Sequence, residues 1–266
     1  MADDLGDDWW EDKEGAKESD SDNSTEDLPS KGEDLEPVAE KRKLETVPAE
    51  AEVVLAKKKR RRRKRITDEN IPEKGCDSTD LISTLQRHFT KLSSVEEEDL
   101  RLYDEHFCAC NTDRDPSISS YLQKVLPKWR KVSADYKHKM SPLVIIVCGN
   151  ALRACNLNTQ AQDFKGKKCK SLKLFSKHMK IEDQIKSLRK GIVHFAVGTP
   201  ARIKGLIQQA ALSLEHTKAF IVDMNWQDVK RKSIVNIPEV RKSLMDLLRD
   251  HVIPACKTHK VQIGLF

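Results

Sequence analysis

The sequence predicts an α/β protein: a single lobe on a parallel sheet of about five strands flanked by helices, preceded by a helical segment and an acidic tail. Three observations carry this prediction. From residue 141 onward, short β-branched runs alternate with segments of helical length. The runs are continuously apolar, as in strands covered on both faces, so right-handed crossovers into a parallel sheet follow. The charge divides sharply along the chain: residues 1–50 hold eighteen Asp and Glu against six Lys and Arg, a net of −12. Taken from the totals of 48 basic and 42 acidic residues, that leaves 42 against 24, a net of +18, for residues 51–266.

The acidic stretch is rich in Asp, Glu, Ser and Pro and poor in aliphatic side chains, so it cannot bury enough apolar surface to offset the entropy of ordering. Residues 1–77 are therefore expected to be a disordered tail. Within it Trp9 and Trp10 stand among carboxylates, either as solvated indoles or as a short partner-docking motif. The tail also contains nine consecutive cations, Lys57, Lys58, Lys59, Arg60, Arg61, Arg62, Arg63, Lys64 and Arg65. With no alternating acids to pair on a helix face, this block reads as a nuclear localisation signal, a nucleic-acid arm, or both. Such an arm releases counterions from phosphates and gives salt-sensitive affinity with little sequence preference.

The chain opens on acidic residues, and no run approaches the roughly 20 apolar residues of a membrane span. A soluble, intracellular protein with no membrane partner is expected. Seven cysteines, an odd and scattered set, suit a reducing compartment. His106-Phe107-Cys108-Ala109-Cys110 lacks a second Cys or His pair at finger spacing, so no metal is expected.

Residues 78–140 read as a helical preface. Leu81, Ile82, Leu85, Phe89 and Leu92 form one helical face, and Ile118, Tyr121, Leu122 and Val125 form another after an acidic link. Residues 141–266 then alternate. PLVIIVCG is a strand, ALRACNLNTQAQDF a helix, KSLKLFS a strand, IEDQIKSLRKG a helix, IVHFAVG a strand and TPARIKGLIQQAA a helix. AFIVDMN, the helix IPEVRKSLMDLLRDHVIPA and the strand VQIGLF complete the lobe.

In such a sheet the functional loops leave the carboxyl ends of the strands. Here they begin at Cys148-Gly149-Asn150, Ser176-Lys177-His178, Gly198-Thr199-Pro200, Asp223-Met224-Asn225 and Phe266. The third has the parts of an anion site: Gly198 for a tight turn, Thr199 as a candidate helix cap, Pro200 for the first turn, and Arg202 near the helix amino terminus. A well-capped helix with no ligand has the same appearance. Lys177, His178 and Lys180 after the second strand, with Lys165, Lys167, Lys168 and Lys170 ahead of it, could extend a basic track or simply solubilise the surface.

The order of these motifs resembles the first RecA-like lobe of DEAD-box RNA helicases. PLVIIVCGNALRA is similar to the family's A-P-T-R-E-L segment, HFAVGTPARI to V-G-T-P-G-R, and AFIVDMNWQD to the strand carrying D-E-A-D. The resemblance implies that Thr199, Pro200 and Arg202 lie against RNA phosphates. It departs at Ala201, which replaces glycine, and in the first loop, where Gly149, Asn150 and Ala151 stand and Arg153 is out of register. The catalytic parts are missing: no glycine stands in G-x-x-x-x-G-K-[ST], and Asp223-Met224-Asn225-Trp226 keeps one of the acids. Asp223 then reads as a strand-end or helix-cap residue. Trp226 reads as a packed aromatic, or as one that blocks a pocket or stacks a base.

Taken over both termini and the middle, the chain resembles the Cms family of small-ribosomal-subunit homologues, subunits of the 90S pre-ribosomal complex. MADDLGDDWWED, the basic block, VGTPARIK and VDMNWQD carry that likeness. It implies a nuclear, nucleolar pseudo-helicase without enzymatic activity or cofactor, whose partners are RNA, in particular pre-ribosomal RNA, and small-subunit assembly factors. The alternatives are a protein-interaction adaptor that touches no RNA and, more remotely, a divergent RNA-dependent ATPase.

Overall fold

The computed structural model describes residues 75–108 and 117–266. Asp77 and Asp80 form a reciprocal capping box at the start of α1, Ser78–His88, and Ser93 and Glu96 do the same for α2, Ser94–Asp99. α2 lies in the stretch the sequence suggested was only an acidic link. Its carboxyl end is closed by Lys257, whose Nζ donates to the carbonyls of Glu98 at 2.9 Å and Asp99 at 2.7 Å.

A 3-10 turn, Asp104–His106, leads to Phe107, which bridges in parallel to Ile263. Then come α3, Ile118–Val125, and α4, Trp129–Ala134. The alternating part runs β1 Val144–Val147, α5 Ala151–Gln160, α6 Gln162–Lys165, β2 Ser171–Leu174, α7 Ile181–Lys190 and β3 Phe195–Gly198. It ends with α8 Pro200–Gln208, β4 Ala219–Val222, α9 Pro238–Leu247, α10 Ile253–His259 and β5 Gln262–Leu265. A π turn, Leu248–Val252, joins α9 to α10, so the long helix expected over 237–255 is continuous but locally unwound.

All five strands are parallel, in the order β2-β3-β1-β4-β5. β1, β3 and β4 are buried at every position, which is why they read as unbroken apolar runs. Because strand side chains alternate, the sheet supports two cores. Ile145, Val147, Phe220 and Val222 pack with Leu81, Leu85, Phe107 and Leu244, whereas Val144, Ile146, Phe195 and Ile221 pack with Ile118, Leu122, Trp129 and Leu157. The preface helices thus contribute to both layers. Each fully buried Phe or Leu in these layers is worth about 1.5–3 kcal/mol.

Candidate nucleic-acid interface

β3 ends against its neighbour so closely that a Cβ on Gly198 would stand 2.1 Å from the carbonyl oxygen of Leu174. That contact, rather than an unusual backbone angle, is what demands glycine. The Thr199 N–H donates to the same carbonyl at 2.9 Å, and Pro200 then opens α8 at its first turn. Thr199 occupies the cap position, but its side chain makes no cap hydrogen bond, so the expected Thr199 cap is not formed. Pro200 is buried; it shapes the turn and lines no surface.

Arg202 lies one turn on and is half-buried, and its Nη1 donates to Gln184 Oε1 at 2.9 Å. Gln184, on α7 and 1% exposed, is itself fixed by donating through Nε2 to the carbonyls of Lys173 at 2.9 Å and Phe175 at 3.1 Å. The β2 end, the amide and the guanidinium form one chain of bonds that aims Arg202. Burial lowers the Arg202 pKa from its ordinary value, with the Glu182 carboxylate opposing.

Lys177, His178 and Lys180 are exposed on the neighbouring loop, where His178 adopts a left-handed φ of 57°. Among the described residues none of the three has an ion-pair partner. The wider basic track divides in two. Lys167, Lys168 and Lys170 precede β2 and so lie at the opposite end of that strand from Lys177. Lys165 leaves the track altogether: it is buried, and its Nζ donates to Asn158 Oδ1 at 2.8 Å and Ser171 Oγ at 3.4 Å.

β1 hands the chain toward β2 on one side while its neighbour β4 hands it toward β5 on the other, so the β1–β4 boundary is the switch point where such sheets hold ligands. Here that position is filled from within. Asp223, the first residue after β4, is 1% exposed and accepts from Arg153 Nε at 2.8 Å and Nη2 at 2.9 Å. Burial raises the Asp223 pKa and the guanidinium pulls it back. The Arg153 guanidinium also lies 5.1 Å from the centre of the Trp226 ring, which is 6% exposed. Trp226 is thus a packed aromatic, of the two readings the sequence left open. Burial pushes the nearby Cys148 thiol up, with the Asp223 carboxylate adding to the effect, which favours the protonated thiol.

Sequence reasoning passed over Arg153 as out of register. The signal was Asn150, which accepts the Arg153 N–H at 2.8 Å and caps α5. That cap places Arg153 in the first helical turn, from where a long side chain reaches back over the strand ends. Asn225 was missed too: its Oδ1 accepts the Cys76 N–H at 2.6 Å and ties the start of the described chain to the β4 loop. Trp9, Trp10 and the basic block at 57–65 lie outside the described residues.

These features define a five-stranded parallel α/β lobe whose switch-point carboxylate is engaged by an internal arginine. The chain belongs to the CMS1 family, whose model, described as a U3-containing 90S pre-ribosomal complex subunit, matches residues 16–266. It is similar over the full length of both chains to protein CMSS1 of Danio rerio, at 37% identity, and to protein CMSS1 of Xenopus laevis, at 39%. Among solved structures it overlaps a Dbp5 variant from S. cerevisiae bound to Nup159, a Gle1 variant, IP6 and ADP. That overlap has a TM-score of 0.39 and 16% identity and covers 72% of this chain and 46% of that one.

Proposed function

We propose that the chain is an RNA- or RNP-binding pseudo-helicase factor of small-subunit precursor assembly, acting in the nucleus and nucleolus without catalysis of its own. The observation that carries this reading is the Arg153–Asp223 pair. In a nucleotide hydrolase a carboxylate at this strand end must be available to metal or water. Here both of its oxygens accept from one guanidinium in a buried setting, and the Trp226 ring packs against that guanidinium. The lobe keeps a scaffold and loses the access that chemistry needs.

What stays exposed on the same strand-end edge is Lys177, Lys180 and the His178 imidazole, with Arg202 aimed by Gln184 next to them. Point cations and one oriented guanidinium suit backbone phosphates and carry no base readout. The basic block at 57–65 supplies long-range attraction. Pre-ribosomal RNA and small-subunit assembly factors are the partners this reading implies, and membership of a pre-ribosomal subunit family supports it.

Filter binding to small-subunit precursor RNA tests the reading with Lys177→Ala/Lys180→Ala, with Arg202→Ala, and with a chain lacking residues 57–65. Unchanged affinity in all three would remove the proposed surface, and RNA-stimulated phosphate release from ATP would remove the non-catalytic role.

A further inference from the structure

The end of the sheet opposite these loops carries a second surface. α3 and α4 are joined by Leu126-Pro127-Lys128, and two depressions share this turn. One is a recess of about 130 Å³ floored by Leu126, Pro127, Val132 and Leu143, the size of a single aliphatic side chain. The other is an open groove of about 530 Å³ that runs past Trp129 to Phe164 and Asp163. Leu143 directly precedes β1 and Lys218 directly precedes β4, so the recess opens at the amino ends of the strands, away from Arg202 and Lys177.

Four exposed cations rim the two depressions: Lys128, Arg130, Lys131 and Lys218. Among the described residues none of them has an ion-pair partner, and Asp163 is the one acid in the lining. An apolar floor inside an unpaired cationic rim complements a peptide with an aliphatic anchor between carboxylates. Nucleic acid suits it less well, because single-stranded binders stack bases on open aromatic faces. The aromatic here is not open: Trp129 is 4% exposed, lies stacked 4.7 Å from the Phe164 ring, and spends its Nε1–H on the Lys165 carbonyl at 3.3 Å.

We propose that this groove docks an acidic peptide segment of a partner protein, with an aliphatic side chain in the recess beside Pro127 and Leu143 and flanking carboxylates on Lys128, Arg130, Lys131 and Lys218. The surface is independent of the RNA-binding reading, so either can fail without the other. It would let one lobe bridge a protein at one end and RNA at the other.

The test is fluorescence polarisation of the full chain with a labelled peptide of about twelve residues that alternates Asp-Glu with Leu-Ile, a length that spans such a groove. The same peptide with Ser for Leu and Ile, and an oligo(U) RNA of matched charge, serve as controls. Lys128→Glu/Arg130→Glu should weaken the Leu-Ile peptide about tenfold or more, since rim charges that meet opposite charges set affinity and on-rate, and leave the RNA within about twofold. The serine peptide should also bind about tenfold more weakly. Equal binding of the serine peptide, equal loss of RNA on charge reversal, or no binding of the Leu-Ile peptide would each overturn the proposal. Should the double variant melt early, a benzophenone at the peptide's central position decides on the unaltered chain. Crosslinks to residues 123–132 or to Lys218 support the groove, and crosslinks confined to other segments refute it.

Discussion

Arg153 and Asp223, seventy residues apart in the chain, meet through two parallel hydrogen bonds of 2.8 and 2.9 Å, with their side chains 5% and 1% exposed. The pair joins α5 to the end of β4 across the switch point, so it is both a structural tie and the reason no free carboxylate is left there. Breaking one side strands a charge in the interior. Arg153→Met should therefore cost about 3–5 kcal/mol in urea unfolding, and pairing it with Asp223→Leu should recover most of that loss. If the single change is nearly neutral, water reaches the site and the claim of closure fails.

The close approach of β3 to β2 makes a sharper demand on one residue. In Gly198→Ala the new methyl would meet backbone, the Leu174 carbonyl, which cannot swing aside as a side-chain tip can. A loss of about 3 kcal/mol or more is expected from such overpacking, read as a lowered melting temperature with little change in denaturant slope.

The elements of the lobe were legible because strands buried on both faces leave continuous apolar runs, and helices between them announce themselves by period and caps: Pro200, Pro238 and Asn150 all stand at helix starts. Contacts distant in sequence were not legible. Nothing in the order of residues says that Gln184 on α7 holds Arg202 on α8, or that Lys165 turns inward to Asn158 while Lys167 and Lys168 stay out. α2 was missed because SVEEED carries a single apolar residue, the exposed Val95, and no buried face to set a period; its capping box and the Lys257 closure hold it.

The Gln184 bond changes how an arginine variant must be read. Removing Arg202 withdraws the proposed phosphate ligand and also leaves the buried Gln184 amide oxygen unpaired, at a cost of about 1–3 kcal/mol. Lys177→Ala and Lys180→Ala carry no such penalty. Each is expected to lower the slope of log affinity against log salt for RNA by about one, with melting unchanged, whereas Arg202→Ala lowers both. A lysine pair that leaves the slope unchanged would move the RNA surface off the β2 loop.

Acid should weaken the fold in two separate steps. Burial lowers the pKa of His194 and of His251, and His251 Nε2 is buried with no hydrogen-bond partner; Asp250 pulls the His251 value back up, and Lys204 reinforces the lowering. A histidine whose folded pKa lies below its unfolded value stays neutral in the native state while the unfolded chain takes up a proton. Its contribution is therefore complete above the unfolded value of about 6.5 and declines as pH falls, levelling off once the folded pKa has been passed. Asp250 adds a second loss, at lower pH, because its charged form is the one the fold favours. Burial alone would raise its carboxyl, but Arg249 at 2.8 Å and Lys204 at 3.0 Å outweigh it and hold the pKa down. That contribution persists down to the ordinary carboxylate range and disappears as Asp250 protonates, taking with it the tie between α8 and the π turn. Melting temperature followed from pH 8 downward should fall first from about 6.5 and again below about 4. His194→Asn, which keeps an acceptor for the Lys170 N–H at 3.3 Å, combined with His251→Leu should flatten the first step and spare the second. A first step that survives both substitutions would place the titrating group elsewhere in the chain.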